Sequence, residues 1–336
     1  KSVTIIGMGG SILGTKAIYT LLKYKIKKKF YFLDNLNLFK LKNYFYNKDI
    51  KQSLFVIISK SGNTLETITN LTILKKFINK KNSIIITEYN EKNYLFDFAN
   101  QHNIAIVEHK DFIGGRYSVL SEVGMLPAKL MGLNLNSFKN SINTRYLLSK
   151  KFRSELNDLS NLINYKKNKT IVLLTYDERL KHFLEWLQQL LAESLGKNKK
   201  GLMPVISTCP KDHHSIAQLY LDGPQDKIFY IFSTDNNGLD FRLGKVFNKE
   251  FKYLNKKNLS DVILAQKKAL IKSLANKRIP IRIIDIKKKI NENLMGQLFS
   301  YFMIEVFYLG ILWGINPLDQ PAVEEIKINT KKLLKR

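Results

Sequence analysis

Short runs rich in Ile, Val and Phe alternate along this chain with amphipathic stretches of helix length, and few folds absorb that alternation. A strand buried on both faces reads as a near-continuous apolar run, and helices between such strands must pack on either side of one parallel sheet. Strand-like runs fall at residues 3–6, 30–33, 54–58, 84–87 and 104–107, with helical stretches such as 13–22 and 65–78 between them. The pattern restarts at 170–176, passes through a helix over about 179–195 and returns at 203–207, 228–233 and 281–286. Two doubly wound parallel-sheet α/β units are predicted, over residues 1–150 and 151–336, with helical material bridging them and the polar stretch 164–169 marking the restart. In such sheets ligands bind beyond the carboxyl ends of the strands, so the loops there carry the functional weight.

At 336 residues the chain exceeds the usual single core, and its 45% hydrophobic content supports a buried interior rather than long disordered tracts. A single cysteine, Cys209, excludes an internal disulfide and fits a reducing compartment. The net charge of +27 invites a search for nucleic acid or an anionic membrane. Lysines are instead scattered in short runs among Asn and Ile, with no zinc-finger spacing or basic-plus-heptad stretch, so a solvated surface is expected, with no nucleic-acid and no membrane partner. A positive field still attracts a phosphorylated metabolite. The apolar stretch 298–315 is long enough to raise a membrane helix, but Glu305, Gly310 and Gly314 within it predict a buried packing helix of a soluble protein. No signal peptide is visible. Because Lys1-Ser2 leads directly into a core strand, an N-terminal part is expected to be missing.

Six polar segments punctuate the apolar elements. After the first strand, Gly7-Met8-Gly9-Gly10-Ser11 forms a glycine turn, but Ile12 stands where a dinucleotide fingerprint needs glycine. What remains suits hydrogen bonding of a sugar hydroxyl or phosphate near Ser11, or a purely structural turn. After the third strand, Ser59-Lys60-Ser61-Gly62-Asn63-Thr64 opens a helix with three hydroxyls where capping needs one. Unpaired N–H donors and the helix dipole favour a phosphate there, and the absence of a Gly-Lys-Ser/Thr ending favours a monophosphate ester over a nucleoside triphosphate. Gly114-Gly115-Arg116 places an arginine fork beside a backbone that a ligand can approach closely. Gln189 and Glu193 share one helix face, with the carboxylate near the C-terminus, where the unfavourable dipole end suits a general base. In Asp212-His213-His214-Ser215, two adjacent imidazoles diverge and make a poor metal site, leaving a single proton-moving histidine. Last, Asn316-Pro317-Leu318-Asp319-Gln320-Pro321 ends the apolar helix, with Lys327 about two turns further on.

In order and spacing these segments resemble the phosphoglucose isomerase family of the sugar isomerase (SIS) domain superfamily, across nearly the whole chain. The matching motifs are Gly-Gly-Ser, Ser-Lys-Ser-Gly-x-Thr-x-Glu-Thr, Gly-Gly-Arg-Tyr-Ser-Val, Glu-Ser-x-Gly-Lys, His-Ser and Asn-Pro-x-Asp-Gln-Pro. The resemblance implies two SIS-type αβα sandwiches, the first carrying the sugar-phosphate loop and the second the catalytic base. It implies interconversion of glucose 6-phosphate and fructose 6-phosphate through a cis-enediol(ate), in glycolysis and gluconeogenesis, in the cytoplasm and without cofactor or metal.

Carried over residue by residue, the resemblance makes Glu193 the base and Arg116 the stabiliser of the oxyanion, with His214 and Lys327 opening the sugar ring. Ser59, Lys60, Ser61 and Thr64 would bind the phosphate, Gly10 and Ser11 line its pocket, and Gly115, Gln189 and Gln320 contact the sugar. In that family the histidine reaches the site from a second subunit, so a homodimer is implied. This sequence departs from the family pattern at Asn63, usually threonine, at His213, usually glutamine, and at Ala192 and Ala322, usually glycine. A sugar-phosphate-sensing module without turnover would need only the loop at 59–64, whereas catalysis needs Glu193, Arg116, His214 and Lys327 together.

Overall fold

The computed structural model describes residues 2–46, 48–140, 144–147, 149–164, 168–235 and 238–335. The first half runs β1 (Ser2–Ile6), α1 (Leu13–Leu21), β2 (Lys29–Leu33), α2 (Leu38–Phe45), β3 (Ser53–Ile58), α3 (Leu65–Leu74), β4 (Ser83–Thr87), α4 (Tyr94–Gln101) and β5 (Ala105–Glu108). Helices α5 (Glu122–Leu130), α6 (Leu135–Lys139), α7 (Thr144–Leu147) and α8 (Lys150–Asn164) lead onward. The second half runs β6 (Thr170–Thr175), α9 (Lys181–Leu195), β7 (Met203–Thr208), α10 (Ala217–Asp222), β8 (Lys227–Thr234), α11 (Leu259–Asn276), β9 (Ile281–Ile286), α12 (Glu292–Leu312) and α13 (Val323–Leu334). All nine described strands predicted from apolar runs are present. The predicted helix 65–78 ends earlier, at Leu74, because Lys75–Phe77 tightens into a 3-10 turn. Of the polar restart at 164–169, residues 165–167 lie outside the described residues.

Every described strand pairing is parallel, in two sheets ordered β2-β1-β3-β4-β5 and β7-β6-β8-β9. The order reverses between β1 and β3 in the first sheet and between β6 and β8 in the second, and a ligand crevice opens where such reversals occur. Successive strand residues go to opposite faces. Ile5, Val56 and Ile58 join one core cluster, Ile6, Phe55 and Ile57 another. In the second sheet Ile171, Leu173, Ile228 and Tyr230 share the first cluster, while Val172, Leu174, Phe229 and Ile231 enter a third. One core therefore fills the space between both sheets, built from α1, α5, α8, α9 and α12, and a smaller core backs each outer face.

Helix α12 is long and apolar enough to cross a membrane by length and composition, and half of that stretch is buried in the protein. Met295, Phe299, Phe302, Val306 and Leu309 seat it in the shared core. Its acid, Glu305, is fully buried and takes both terminal nitrogens of Arg282 on β9, at 2.8 and 2.6 Å. Tyr301 accepts a further hydrogen bond from the same guanidinium at 2.6 Å. A carboxylate paired and hydrogen-bonded in this way is at home in a protein interior, as the sequence reading expected.

Candidate active site

The glycine turn after β1 is the point where three segments meet. An added Cβ at Gly7 would lie 3.1 Å from the carbonyl of Ile58, the residue before the Ser59 loop. At Gly10 it would lie 2.2 Å from the carbonyl carbon of Gly115 and 2.6 Å from the backbone nitrogen of Arg116. At Gly9, where φ is +51°, it would lie 2.7 Å from Nε2 of Gln189. Only glycine allows the turn to touch all three neighbours.

In the loop after β3, Ser59 is buried and its hydroxyl lies 2.8 Å from that of Thr64. Thr64 occupies the N-cap of α3 without capping it, so no side-chain cap takes the first N–H groups of that helix. Gly62, at φ +65°, lies against Asn93, whose side-chain oxygen would be 1.4 Å from an added Cβ. Asn63 spends its amide on the loop after β4 and the start of α4, donating to the carbonyl of Lys92 at 2.9 Å and accepting from the N–H of Tyr94 at 3.1 Å. Ser61 is exposed, with its hydroxyl 3.3 Å from the N–H of Asn63. The Lys60 ammonium turns toward the carbonyl of Asp111 at 2.5 Å and Glu88 at 3.5 Å.

Arg116 is 3% exposed and uses its whole fork. Nε donates to the hydroxyl of Ser194 at 2.8 Å. One terminal nitrogen donates to Gln320 at 3.2 Å and approaches the Glu193 carboxylate at 3.4 Å. The other donates to the carbonyls of Pro317 at 2.5 Å and Asp319 at 2.9 Å. The second oxygen of Glu193 accepts from Gln189 at 2.8 Å, the i, i+4 partner expected on α9. The Glu193 carboxylate, the guanidinium and two amides thus share one place, and the Gly-Gly-Ser turn ties it to the Ser59 loop.

Several supporting residues carried no assignment in the sequence reading. Tyr117 Oη lies 2.9 Å from the hydroxyl of Ser194 and donates to the carbonyl of Pro317 at 3.0 Å. Lys197 donates to the carbonyl of Asn316 and, at 2.5 Å, to the carboxylate of Asp319, which also accepts from the Asn316 amide at 3.1 Å. The hydrogen bond from Lys197 holds the Asp319 carboxyl below the usual carboxylate range. These residues lie inside the Glu-Ser-x-Gly-Lys, Gly-Gly-Arg-Tyr and Asn-Pro-x-Asp-Gln-Pro segments. The motifs flagged them without saying what they hold.

Neither His214 nor Lys327 hydrogen-bonds to this group among the described residues. His214 is exposed on the turn after β7, and its side chain makes no hydrogen bond to another described residue. Lys327 pairs with Glu324 at 3.0 Å on α13, a helix without a buried residue. A hollow of about 440 Å³ lies beside the arginine turn, lined by Ile113, Gly114, Tyr117 and Leu318. A cleft of about 500 Å³ opens elsewhere, beyond β6 and β8. Its two cations are already matched, Arg179 by Asp177 at 2.7 Å and Lys267 by Asp285 at 2.8 Å. Among the described residues no three His, Cys, Asp or Glu side chains gather as a metal-binding group.

The family model of phosphoglucose isomerase matches residues 1–210. The chain is 36% identical to a glucose-6-phosphate isomerase of Methanocaldococcus jannaschii, over all of this chain and 85% of that protein. Among solved structures, a hypothetical protein of Thermus thermophilus is 28% identical with a TM-score of 0.89, over 99% of this chain and 83% of that one. A glucose-6-phosphate isomerase from Chlamydia trachomatis shares the fold at a TM-score of 0.80 and 24% identity, over 99% and 69% of the two chains. With its two parallel sheets, its motif order and these likenesses, the chain belongs to the phosphoglucose isomerase family.

Proposed function

We infer that this chain is an aldose–ketose isomerase converting glucose 6-phosphate and fructose 6-phosphate into one another. The observation that carries the reading is the Glu193 carboxylate, set between the Gln189 amide at 2.8 Å and the Arg116 guanidinium at 3.4 Å. A proton α to a carbonyl is too weakly acidic for a free carboxylate unless the charge left behind is stabilised. Glu193 takes the C2 proton of the open-chain aldose. The C–H electrons form the C1–C2 double bond and the carbonyl oxygen becomes an oxyanion facing Arg116. Returning the proton to C1 and moving the hydroxyl proton to the oxyanion gives the ketose. Hydrogen moves as a proton throughout, so the step needs no cofactor.

Ser59, Lys60, Ser61, Thr64 and the uncapped start of α3 hold the phosphate, with Gly10 and Ser11 lining the same place. Gly115, Gln189 and Gln320 contact the sugar. His214 and Lys327 open the ring by proton transfer at the ring oxygen and the C1 hydroxyl. The exposure of His214, with no hydrogen bond to the Arg116 group among the described residues, supports delivery of that imidazole to the site of a second copy, hence a homodimer. The division into units 1–150 and 151–336, a cytoplasmic location, and a role in glycolysis and gluconeogenesis belong to the same proposal.

The test is a coupled assay with fructose 6-phosphate, run beside Glu193→Gln. The variant should keep phosphate binding and lose ~10²–10⁴-fold in exchange of the C2 proton with solvent. Undiminished exchange would remove Glu193 from the base role. Retained binding with no turnover by the unaltered protein would favour a sensing module.

A further inference from the structure

The turn after β7 carries two adjacent histidines with opposite surroundings. Beside the exposed His214, the imidazole of His213 is partly buried, and its Nε2 lies 2.8 Å from the Tyr176 hydroxyl. The two rings meet edge-on, with centroids 5.7 Å apart. Tyr176 is buried and immediately follows β6, the strand paired with β7. Asp212 supplies a second anchor: one carboxylate oxygen accepts from the Ser207 hydroxyl and the Thr208 N–H, both at 2.8 Å, and the other from Ser215 at 3.2 Å. The N–H groups of His213 and His214 close on the carbonyls of Pro210 and Lys211 at 3.0 and 3.1 Å. The turn is thus fixed on both strands, and the freedom left to His214 is that of its own side chain.

We propose that Tyr176 and His213 are positioning residues that hold the turn so that the His214 imidazole is presented outward for ring opening, an inference that rests on the role given to His214 above. Burial, and then the neighbouring His214, lower the basicity of His213, with Asp212 opposing them. Tyr176, Cys209, Lys211, Asp212 and His214 are the titratable groups around it. A glutamine amide offers both a donor and an acceptor at similar reach, so it can stand in for the His213 bond to Tyr176 without an ionisable ring.

The experiment uses the full chain with two substrates. One is a cyclic hexose 6-phosphate. The other is a tetrose 4-phosphate, which cannot close a ring and reports proton exchange α to the carbonyl alone. Tyr176→Phe and His213→Ala should each lower kcat on the cyclic substrate about tenfold, leaving its KM and the tetrose exchange unchanged. Tyr176→Phe also removes the hydroxyl's bond to the Gln266 carbonyl at 3.4 Å, so the double variant should be no worse than Tyr176→Phe alone. His213→Gln should restore kcat to within about twofold of the unaltered chain. Circular dichroism and melting temperatures identify any variant that has lost its fold, and His213→Ala, which leaves Tyr176 in place, then serves in place of Tyr176→Phe. Equal losses on both substrates, or full activity in His213→Ala, would overturn the positioning role. If His214→Ala also spares the cyclic substrate, it is the reading of His214 that fails.

Discussion

Arg116, proposed to steady the oxyanion, and His214, proposed to open the ring of the same sugar, sit in opposite surroundings. The guanidinium is buried and every arm of its fork is engaged, through partners up to 204 residues away in sequence. Among the described residues the exposed imidazole makes no side-chain hydrogen bond, and Lys327 pairs with a neighbour, Glu324, on its own exposed helix. A group that steadies developing charge works by being in place beforehand, which demands burial and fixed partners. A group that ferries a proton to a ring must be able to reach it, and under the proposed dimer that reach extends to a second copy of the chain.

The sharpest way to break this contrast is to loosen the fixed side. Arg116→Lys keeps the charge but loses the fork, and kcat should fall ~10²–10³-fold, as for removal of an oxyanion donor. Single-turnover rates separate this from weaker substrate binding, and a loss confined to KM would mean that Arg116 serves binding alone. On the outward side, equal amounts of Glu193→Gln and His214→Ala chains, unfolded and refolded together, should recover about a quarter of the unaltered activity, because half the dimers are mixed and each mixed dimer rebuilds one complete site. No recovery would place the histidine in the site of its own chain. Gly10→Ala drives a methyl group into the backbone of Gly115 and Arg116, which cannot step aside as a side chain would. A stability loss of about 1–3 kcal/mol is expected in chemical denaturation, with activity falling alongside.

The smallest effect concerns the charges joining the halves. Lys16 on α1 lies 2.6 Å from Asp34 and 3.7 Å from Glu185 on α9. Burial pushes the Asp34 carboxyl up, but Lys16 and Lys40 outweigh it and hold the group below its ordinary range. A carboxyl depressed on folding contributes stability above its unfolded value of about 4, and that contribution drains away as pH falls through the lower folded value. Asp34→Asn should therefore lower the melting temperature slightly at pH 7, and the gap from the unaltered chain should close below about pH 4. A gap that persists in acid would mean that the carboxylate contributes by packing instead.

The strands were legible because both faces of each sheet are covered: Ile5 and Ile6 enter different cores, and a run apolar at every position is the trace of that. The pairing of Gln189 with Glu193 was legible because helical spacing puts the two side chains together. The grip of Arg116 on Pro317 and Asp319, the approach of Gly9 to Gln189 and the contact of Tyr176 with His213 left no periodic signal. Each is a meeting of loops that only the folded topology brings about. The exposure of Lys327 was likewise hidden, since α13 has the apolar positions of a packed helix but buries none of them within this chain.

The Arg282–Glu305 pair has a mechanical consequence. A helix clamped by a two-toothed contact cannot roll about its axis, and α12 extends only seven residues, about 10 Å, beyond Glu305 before releasing the chain that ends on Arg116. The clamp on β9 thereby sets the angle at which the Pro317 and Asp319 carbonyls arrive, and a fault in that strand would surface as a mis-aimed guanidinium.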